Sequence, residues 1–212
     1  MHKPLINILT RTSNRPNAFE LNRNTILSQT YDNINQIVCV DDDVSENYVK
    51  NHGVTYIKID RENLIKSDTS VNPNTGKYSP HNLYFNPLMA EVKDGWIMIL
   101  DDDDRLSNIN VISKIVDKIE DEDTMVIWQM RFPNHQAIPS TDTINLPPRL
   151  GNIGSPCFLF HSKHLGDIKW DGWKCGDFRF IEKIYNKIPK KVTIPETLVV
   201  IGQIGDGNRT DL

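Results

Sequence analysis

A chain of 212 residues, 38% apolar and 25% charged, has the balance of a globular protein and the length of one domain with a full core. Its formal charge of −4 excludes broad electrostatic capture of nucleic acid, which needs a basic face. No apolar run approaches the ~20 residues of a membrane span.

Residues 5–11 (LINILTR) and 36–40 (QIVCV) are short β-branched runs ending in polar residues, as buried strands of a parallel sheet read. Between them Asn14 is a plausible cap and Pro16 stands near the first position of a helix, with Phe19, Ile26 and Leu27 predicted on one face. Further strands are predicted at 54–59 and 96–100, so the first hundred or so residues alternate as a doubly wound sheet does. Residues 66–80 are rich in turn formers and read as an exposed loop. A helix carrying Leu88, Met89 and Val92 is expected to open at Asn86-Pro87. Another is expected to be capped by Ser107, with Ile109, Ile112, Val116 and Ile119 facing the core.

A strand is predicted at 124–130. Residues 133–156 hold five prolines and few apolar anchors, the pattern of a lid or an unstructured loop. A strand at 158–160, a helix at 178–188 with Phe178, Ile181, Tyr185 and Ile188 on one side, and a strand at 198–201 complete the reading. The expected fold is therefore α/β, a single domain built on a mostly parallel Rossmann-like sheet flanked by helices. Cys39, Cys157 and Cys175 are odd in number and far apart, which suits neither a disulfide framework nor a zinc site. The N-terminal residues lack the h-region of a signal peptide. Together these features predict reduced thiols and a cytoplasmic location.

Both acidic knots, Asp41-Asp42-Asp43 and Asp101-Asp102-Asp103-Asp104, directly follow predicted parallel strands. That is the sheet edge where open α/β folds bind ligands. Four adjacent carboxylates repel one another unless a hard cation or strong donors neutralise them, and Mn²⁺ or Mg²⁺ shared with substrate phosphates is the simplest answer. A solvated turn opening the next helix is the plainer alternative for either knot.

The segments ILTRTSNRPNAF, QTYDNINQIVCVDDD and WIMILDDDDRL together resemble three successive motifs of family-two-like inverting glycosyltransferases of the GT-A fold. The resemblance is close over residues 5–110 and looser beyond them. It implies a metal-dependent transfer of a sugar from a nucleotide-sugar donor, UDP-linked by family habit, to a glycan or other hydroxyl acceptor. Residues 1–105 would hold the donor and residues 106–212 the acceptor and the catalytic group. Thr10, Arg11 and Asn14 would line the nucleotide, and Asp41 or Asp42 would contact its base or ribose. Asp103 would bind the metal, with Asp101 near the ribose or a metal-bound water. A one-residue shift of register would pass those roles to Asp102 and Asp104.

An inverting transfer needs a base for the acceptor hydroxyl. Asp177, ahead of the last helix, resembles the family's acidic motif; Asp171 is the second candidate, and a plain helix cap is the structural alternative. Arg209, in a glycine-containing tail, is a candidate for closing over the diphosphate, and a surface arginine is the equal alternative. His161 and His164 read as structural, and the tryptophans near 170 as either an acceptor platform or core. A haloacid-dehalogenase-like phosphatase fits poorly, because Arg105 or Leu106 stands where that family places Thr or Val. A nucleotidyltransferase fits poorly too, because residues 11–15 hold no glycine. A binding module that holds a nucleotide sugar or cation without turnover remains the rival.

Overall fold

The structure is a computed structural model that describes residues 3–74 and 76–202. In chain order it comprises β1 (Ile6–Arg11), α1 (Pro16–Leu27), β2 (Ile34–Val40), α2 (Asp43–Asn51), β3 (Thr55–Lys58), α3 (Arg61–Lys66), α4 (Phe85–Glu91) and β4 (Trp96–Ile99). There follow β5 (Asp104–Leu106), α5 (Val111–Val116), β6 (Thr124–Arg131), β7 (Ala137–Ile138), β8 (Phe158–His161), α6 (Gly176–Lys187) and β9 (Lys190–Ile201). The strands form one sheet in the order β3-β2-β1-β4-β8-β6-β9-β5, with β7 beside β6. β3, β2, β1 and β4 run parallel, as do β6 and β9, whereas β8 is antiparallel to both β4 and β6, and β5 to β9.

The parallel half follows from sequence: β1 and β4 are buried almost throughout, as strands covered on both faces must be. The main core joins that sheet to α4, α5 and α6, and a smaller cluster of Phe19, Val38, Val40 and Val49 seats α1 and α2 on the other face. Pro16 sits in the first turn of α1, where its fixed φ suits the helix and its missing N–H costs nothing. Asn14 adopts φ 53 and Arg15 is the N-cap residue, so Asn14 turns the chain rather than capping it. Phe19 and Ile26 are buried as expected, but Leu27 is 64% exposed; Asn22 takes the buried position instead.

Several expected boundaries move for physical reasons. α4 continues directly from a 3-10 turn at Pro80–Tyr84 and opens at Phe85. Asn86 is not its cap but exchanges two bonds with the Trp170 backbone, its amide donating to the carbonyl at 3.0 Å and its oxygen accepting from the N–H at 2.9 Å. α5 begins at Val111, not after Ser107, because Asn108 turns the chain by accepting from Asn110 N at 2.9 Å; Ile109 is left 51% exposed. The segment 133–156 is ordered, contributing β7 and burying Ile138, Ile144 and Ile153. Residues 66–80 do not hang free: Ser79 N donates to Gly172 O, Lys174 N to Lys77 O, and Tyr78 bridges to Trp173. β9 extends well before residue 198, with its pairing to β6 slipping between Ile194 and Thr197. Pro195 lies in that gap, where a residue without an N–H cannot join the ladder.

The turn into β4 depends on Gly95, at φ +91, where an added Cβ would lie 2.7 Å from the Leu5 carbonyl oxygen. Gly95→Ala is therefore expected to cost about 1–3 kcal/mol. Thermal unfolding should show this as a drop of roughly 2–4 °C per kcal/mol.

Candidate active site

Because β1, β2 and β4 are parallel, the segments that follow them emerge together at one sheet edge. There Arg11, the last residue of β1, forks onto Asp101, with Nε donating to Oδ1 at 2.9 Å and Nη2 to Oδ2 at 2.6 Å. Its Nη1 donates to the His81 carbonyl at 2.8 Å, and the guanidinium lies 4.2 Å from the Phe85 ring centre. Burial is the largest effect on the Arg11 pKa and lowers it, but the charge and hydrogen bonds of Asp101 together with the charges of Asp102 and Asp103 outweigh it, and the net direction is up. Asp101 is the mirror image: burial pushes its carboxyl up, and Arg11 holds it below the usual range.

Arg15, placed by the turn into α1, meets the next two carboxylates. Its Nη1 donates to Asp103 Oδ2 at 3.1 Å, and its Nη2 lies 2.5 Å from Asp102 Oδ1. The second contact is a charge pair off the line of a hydrogen bond, so neither Asp102 oxygen has an aligned donor. Burial pushes the Asp102 carboxyl up to about 7 against the pull of Arg15. Burial, and then its acidic neighbours, push Asp104 well above the carboxylate range. Two guanidiniums thus compensate much of the charge for which the sequence made a divalent cation the simplest answer. Neither was identified there as a partner of the acidic run.

The run alternates. Asp102 and Asp104 are buried, whereas Asp101 and Asp103 are partly exposed toward the edge. Its backbone is held from behind by Asn22, whose amide donates to both the Asp101 and Asp104 carbonyls at 2.8 Å. Gln36 in turn donates to Asn22 Oδ1 and to Thr10 Oγ1, each at 3.0 Å. Thr10 is fully buried in this network and does not face the edge. A polar Asn22 three residues after Phe19, on the apolar face of α1, was the sequence signal for this latch.

After β2 the two acids differ. Asp42 caps α2, its Oδ1 accepting from Ser45 N at 2.7 Å and its Oδ2 from the Ser45 hydroxyl at 2.8 Å. Ser45 Oγ also accepts from Asn14 N at 2.9 Å, tying Asn14 to the same corner. Asp41 Oδ2 accepts from the Tyr84 hydroxyl at 2.6 Å, while its Oδ1 is buried with no donor. A buried acceptor without a donor is unfavourable, and Asp41 is left with one where both oxygens of Asp42 already accept from Ser45.

Asp177 stands in the first turn of α6, near enough for Arg11 to act on its charge. Burial raises its pKa, prevailing over the Phe178 N–H, Arg11 and Arg179. Asp171 is engaged by Arg179, whose Nε donates to Oδ2 at 2.7 Å; burial pushes Asp171 up, but these bonds bring it below the usual range. Trp170 is core, 3% exposed and stacked on Phe180, whereas Trp173 is half-buried against Tyr78. His161 lies across from Trp96, at the start of β4 and so at the opposite sheet edge, near Asp94 and Glu122; His164 bonds the Glu122 carbonyl. Arg209 lies outside the described residues.

Among the described residues no group of three or more His, Cys, Asp or Glu side chains is arranged to hold a metal ion. Both Asp101 oxygens are engaged by Arg11, and Asp102 is sealed. Asp103, a hard oxygen donor, is partly exposed although Arg15 pairs with it. One carboxylate with substrate phosphates is a donor set that Mg²⁺ and Mn²⁺ accept, so the residues fit a metal brought with a phosphorylated ligand rather than one caged by the protein. No helix among the described residues is long and apolar enough to cross a membrane.

No family model matches the sequence, and neither does any curated protein. Solved structures do match. S. aureus TarS 1–349 superposes with a TM-score of 0.70 at 14% identity, over 93% of this chain and 60% of that one. The same fragment in complex with UDP-GlcNAc gives 0.69 at 13%, over 96% and 60%. The mannosyltransferase PcManGT from Pyrobaculum calidifontis, in complex with GDP-Man and Mn²⁺, gives 0.64 at 13%, over 95% and 57%. The chain thus spans less than two-thirds of the length of each of these structures, and what it shares with them is an α/β fold.

Proposed function

We propose that the protein is a nucleotide-sugar-dependent glycosyltransferase that transfers with inversion to a hydroxyl acceptor, using Asp177 as the base. The observation that carries this reading is the gathering of Asp101, Asp103 and Asp177 around Arg11 at the carboxyl edge of the parallel strands, with Asp41 at the end of the neighbouring strand β2. Residues 1–105 supply the donor half and residues 106–212 the half that carries the base.

The Asp41 oxygen that lacks a donor could be satisfied by a nucleobase N–H, the imide of a uracil or the N1–H of a guanine alike, and UDP is proposed from the resemblance of the sequence motifs. Burial alternation supports the register in which Asp101 and Asp103, not Asp102 and Asp104, meet the donor. Asp103 with the diphosphate would hold Mn²⁺ or Mg²⁺, which when bound supplies positive charge to the leaving diphosphate. Arg11, held by Asp101, keeps a fixed cation beside it. In the transfer itself the acceptor oxygen bonds to the anomeric carbon, the bond from that carbon to the diphosphate oxygen breaks with its electron pair, and the hydroxyl proton passes to the Asp177 carboxylate. The half-buried Trp173, four residues before Asp177, is placed to receive a sugar face on the acceptor side.

The test is release of nucleoside diphosphate from UDP-GlcNAc and GDP-mannose, with Mn²⁺ or with chelator, with and without candidate glycan acceptors. Metal-dependent release that an acceptor accelerates is expected. Binding without any release identifies a non-catalytic module and overturns the proposal.

A further inference from the structure

We propose that Arg179 is a positioning residue: with Asn82 opposing it, it clamps the turn formed by residues 171–175 and so fixes the first turn of α6, where Asp177 stands. The inference rests on Asp177 being the base, and adds how that base is held in place.

α6 starts without the usual means of fixing a helix end. Its N-cap residue, Cys175, makes no side-chain capping bond and adopts φ 63. A residue with a β-carbon in the left-handed region is strained and persists only when its surroundings enforce it. The guanidinium of Arg179 supplies that enforcement from one side. Nε and Nη2 grip Asp171 at 2.7 and 2.5 Å, Nη2 also reaches the Trp173 carbonyl at 3.1 Å, and Nη1 reaches the Lys174 carbonyl at 3.0 Å. Asp171 Oδ1 accepts in addition from Trp173 N at 3.0 Å, closing the turn from within.

The other side is held by the 68–82 segment. Asn82 Nδ2 donates to the same Trp173 carbonyl at 2.9 Å, Ser79 N to Gly172 O at 2.6 Å, and Lys174 N to Lys77 O at 2.9 Å. Two glycines make the approach possible. A Cβ at Gly172 would lie 2.5 Å from Tyr78 Cε2, and one at Gly176 would lie 2.9 Å from Asn82 Nδ2 and 2.8 Å from the Asp171 carbonyl. Every strong donor of Arg179 is thus directed at the backbone or acid of one turn, and none at solvent-side decoration. A point-charge lysine cannot reproduce that planar fork.

Arg179 also acts on the charge of Asp177. The charged or titratable groups that act on Asp177 are Arg11 from β1 and Arg179 from α6, with Cys157 from the turn before β8 also within its field. Both arginines favour the carboxylate, so removing one charge moves Asp177 upward and the base is lost at a higher pH.

Geometry and charge separate in two variants. Turnover is read as diphosphate release from UDP-GlcNAc or GDP-mannose to water, and donor affinity is read by calorimetry. Arg179→Lys keeps the charge and loses the fork: kcat is expected to fall about 10- to 100-fold, the scale of an ångström's misplacement, at unchanged donor affinity and an unmoved pH profile. Arg179→Gln should show the same fall together with an acidic limb displaced to higher pH. If Arg179→Lys does not fold, Asn82→Ala, which leaves the ion pair intact, is expected to lower kcat several-fold at unchanged affinity, and wild-type turnover in that folded protein overturns the inference. Wild-type kcat in folded Arg179→Lys overturns it equally, as does an affinity loss that matches the loss of turnover. Asp177→Asn separates the two levels. If Asp177→Asn retains turnover, the base assignment itself has failed; if it is inactive while the Arg179 and Asn82 variants turn over normally, only the clamp has failed.

Discussion

Asp177→Asn is expected to lower turnover by about 10²–10⁴-fold, the contribution of a positioned base, while leaving donor affinity within about two-fold, since the base proposed above would meet the acceptor and not the nucleotide. Two opposed forces act on this carboxyl. A first-turn position and the Phe178 N–H favour its charged form, as do Arg11 and Arg179, and alone they would make it a weak base. Burial opposes them and is the larger effect, so the net direction is upward. Asp171 shows the contrary balance, because Arg179 satisfies both of its oxygens and holds it low. Of the two acids before and within this helix start, only Asp177 is therefore tuned toward proton acceptance. The pH profile carries a matching sign. The base works deprotonated, so activity should fall as pH drops through a midpoint above the ~3.9 of a free aspartate. Asp171→Asn should disturb turnover through the turn it anchors without removing that titration. Undiminished diphosphate release by Asp177→Asn would end its assignment as base.

The parallel half of the sheet was legible because its strands are continuous apolar runs and each ends where polar residues begin: β1, β2 and β4 fall within a residue or two of their expected limits. β9 was legible only at its end. Its first residues are Lys190 and Lys191, and Pro195-Glu196 interrupts it, so neither alternation nor an apolar run signals the strand that pairs with β6. Segment 133–156 misled in the other direction. Its prolines suggested disorder, but three separated isoleucines were enough to anchor it. In the site, the acidic knots were legible from their position after strands. What neutralises them was not: Arg15 and Asp103 are 88 positions apart, Asn82 and Trp173 91. No local pattern reports a contact of that range, nor that Asp42 is used up by Ser45 while Asp41 keeps a bare oxygen.

Asp103→Asn is expected to abolish the metal dependence of donor binding, weakening affinity in Mn²⁺ by about 100-fold or more, since even partners outside a metal's own ligand set contribute 10- to 100-fold. Asp101 gives both oxygens to Arg11, Asp102 has no exposed surface, and Asp104 is buried at the start of β5. Asp103 is partly exposed, and its pairing with Arg15, at 3.1 Å, does not engage both of its oxygens as Arg11 engages those of Asp101. That pair is also a competitor. Because the guanidinium competes for Asp103, Arg15→Gln should tighten Mn²⁺ binding with the donor at some loss of fold stability, since Asp102 is then left buried without the cation that touches it. Calorimetry of UDP-GlcNAc and GDP-mannose with and without Mn²⁺ reads both effects. Asp102→Asn serves as the control. It removes a neighbouring negative charge that cannot reach the ligand, so metal dependence should persist, and an equal loss in Asp102→Asn and Asp103→Asn would mean that the run acts through its summed charge and not through one coordinating oxygen.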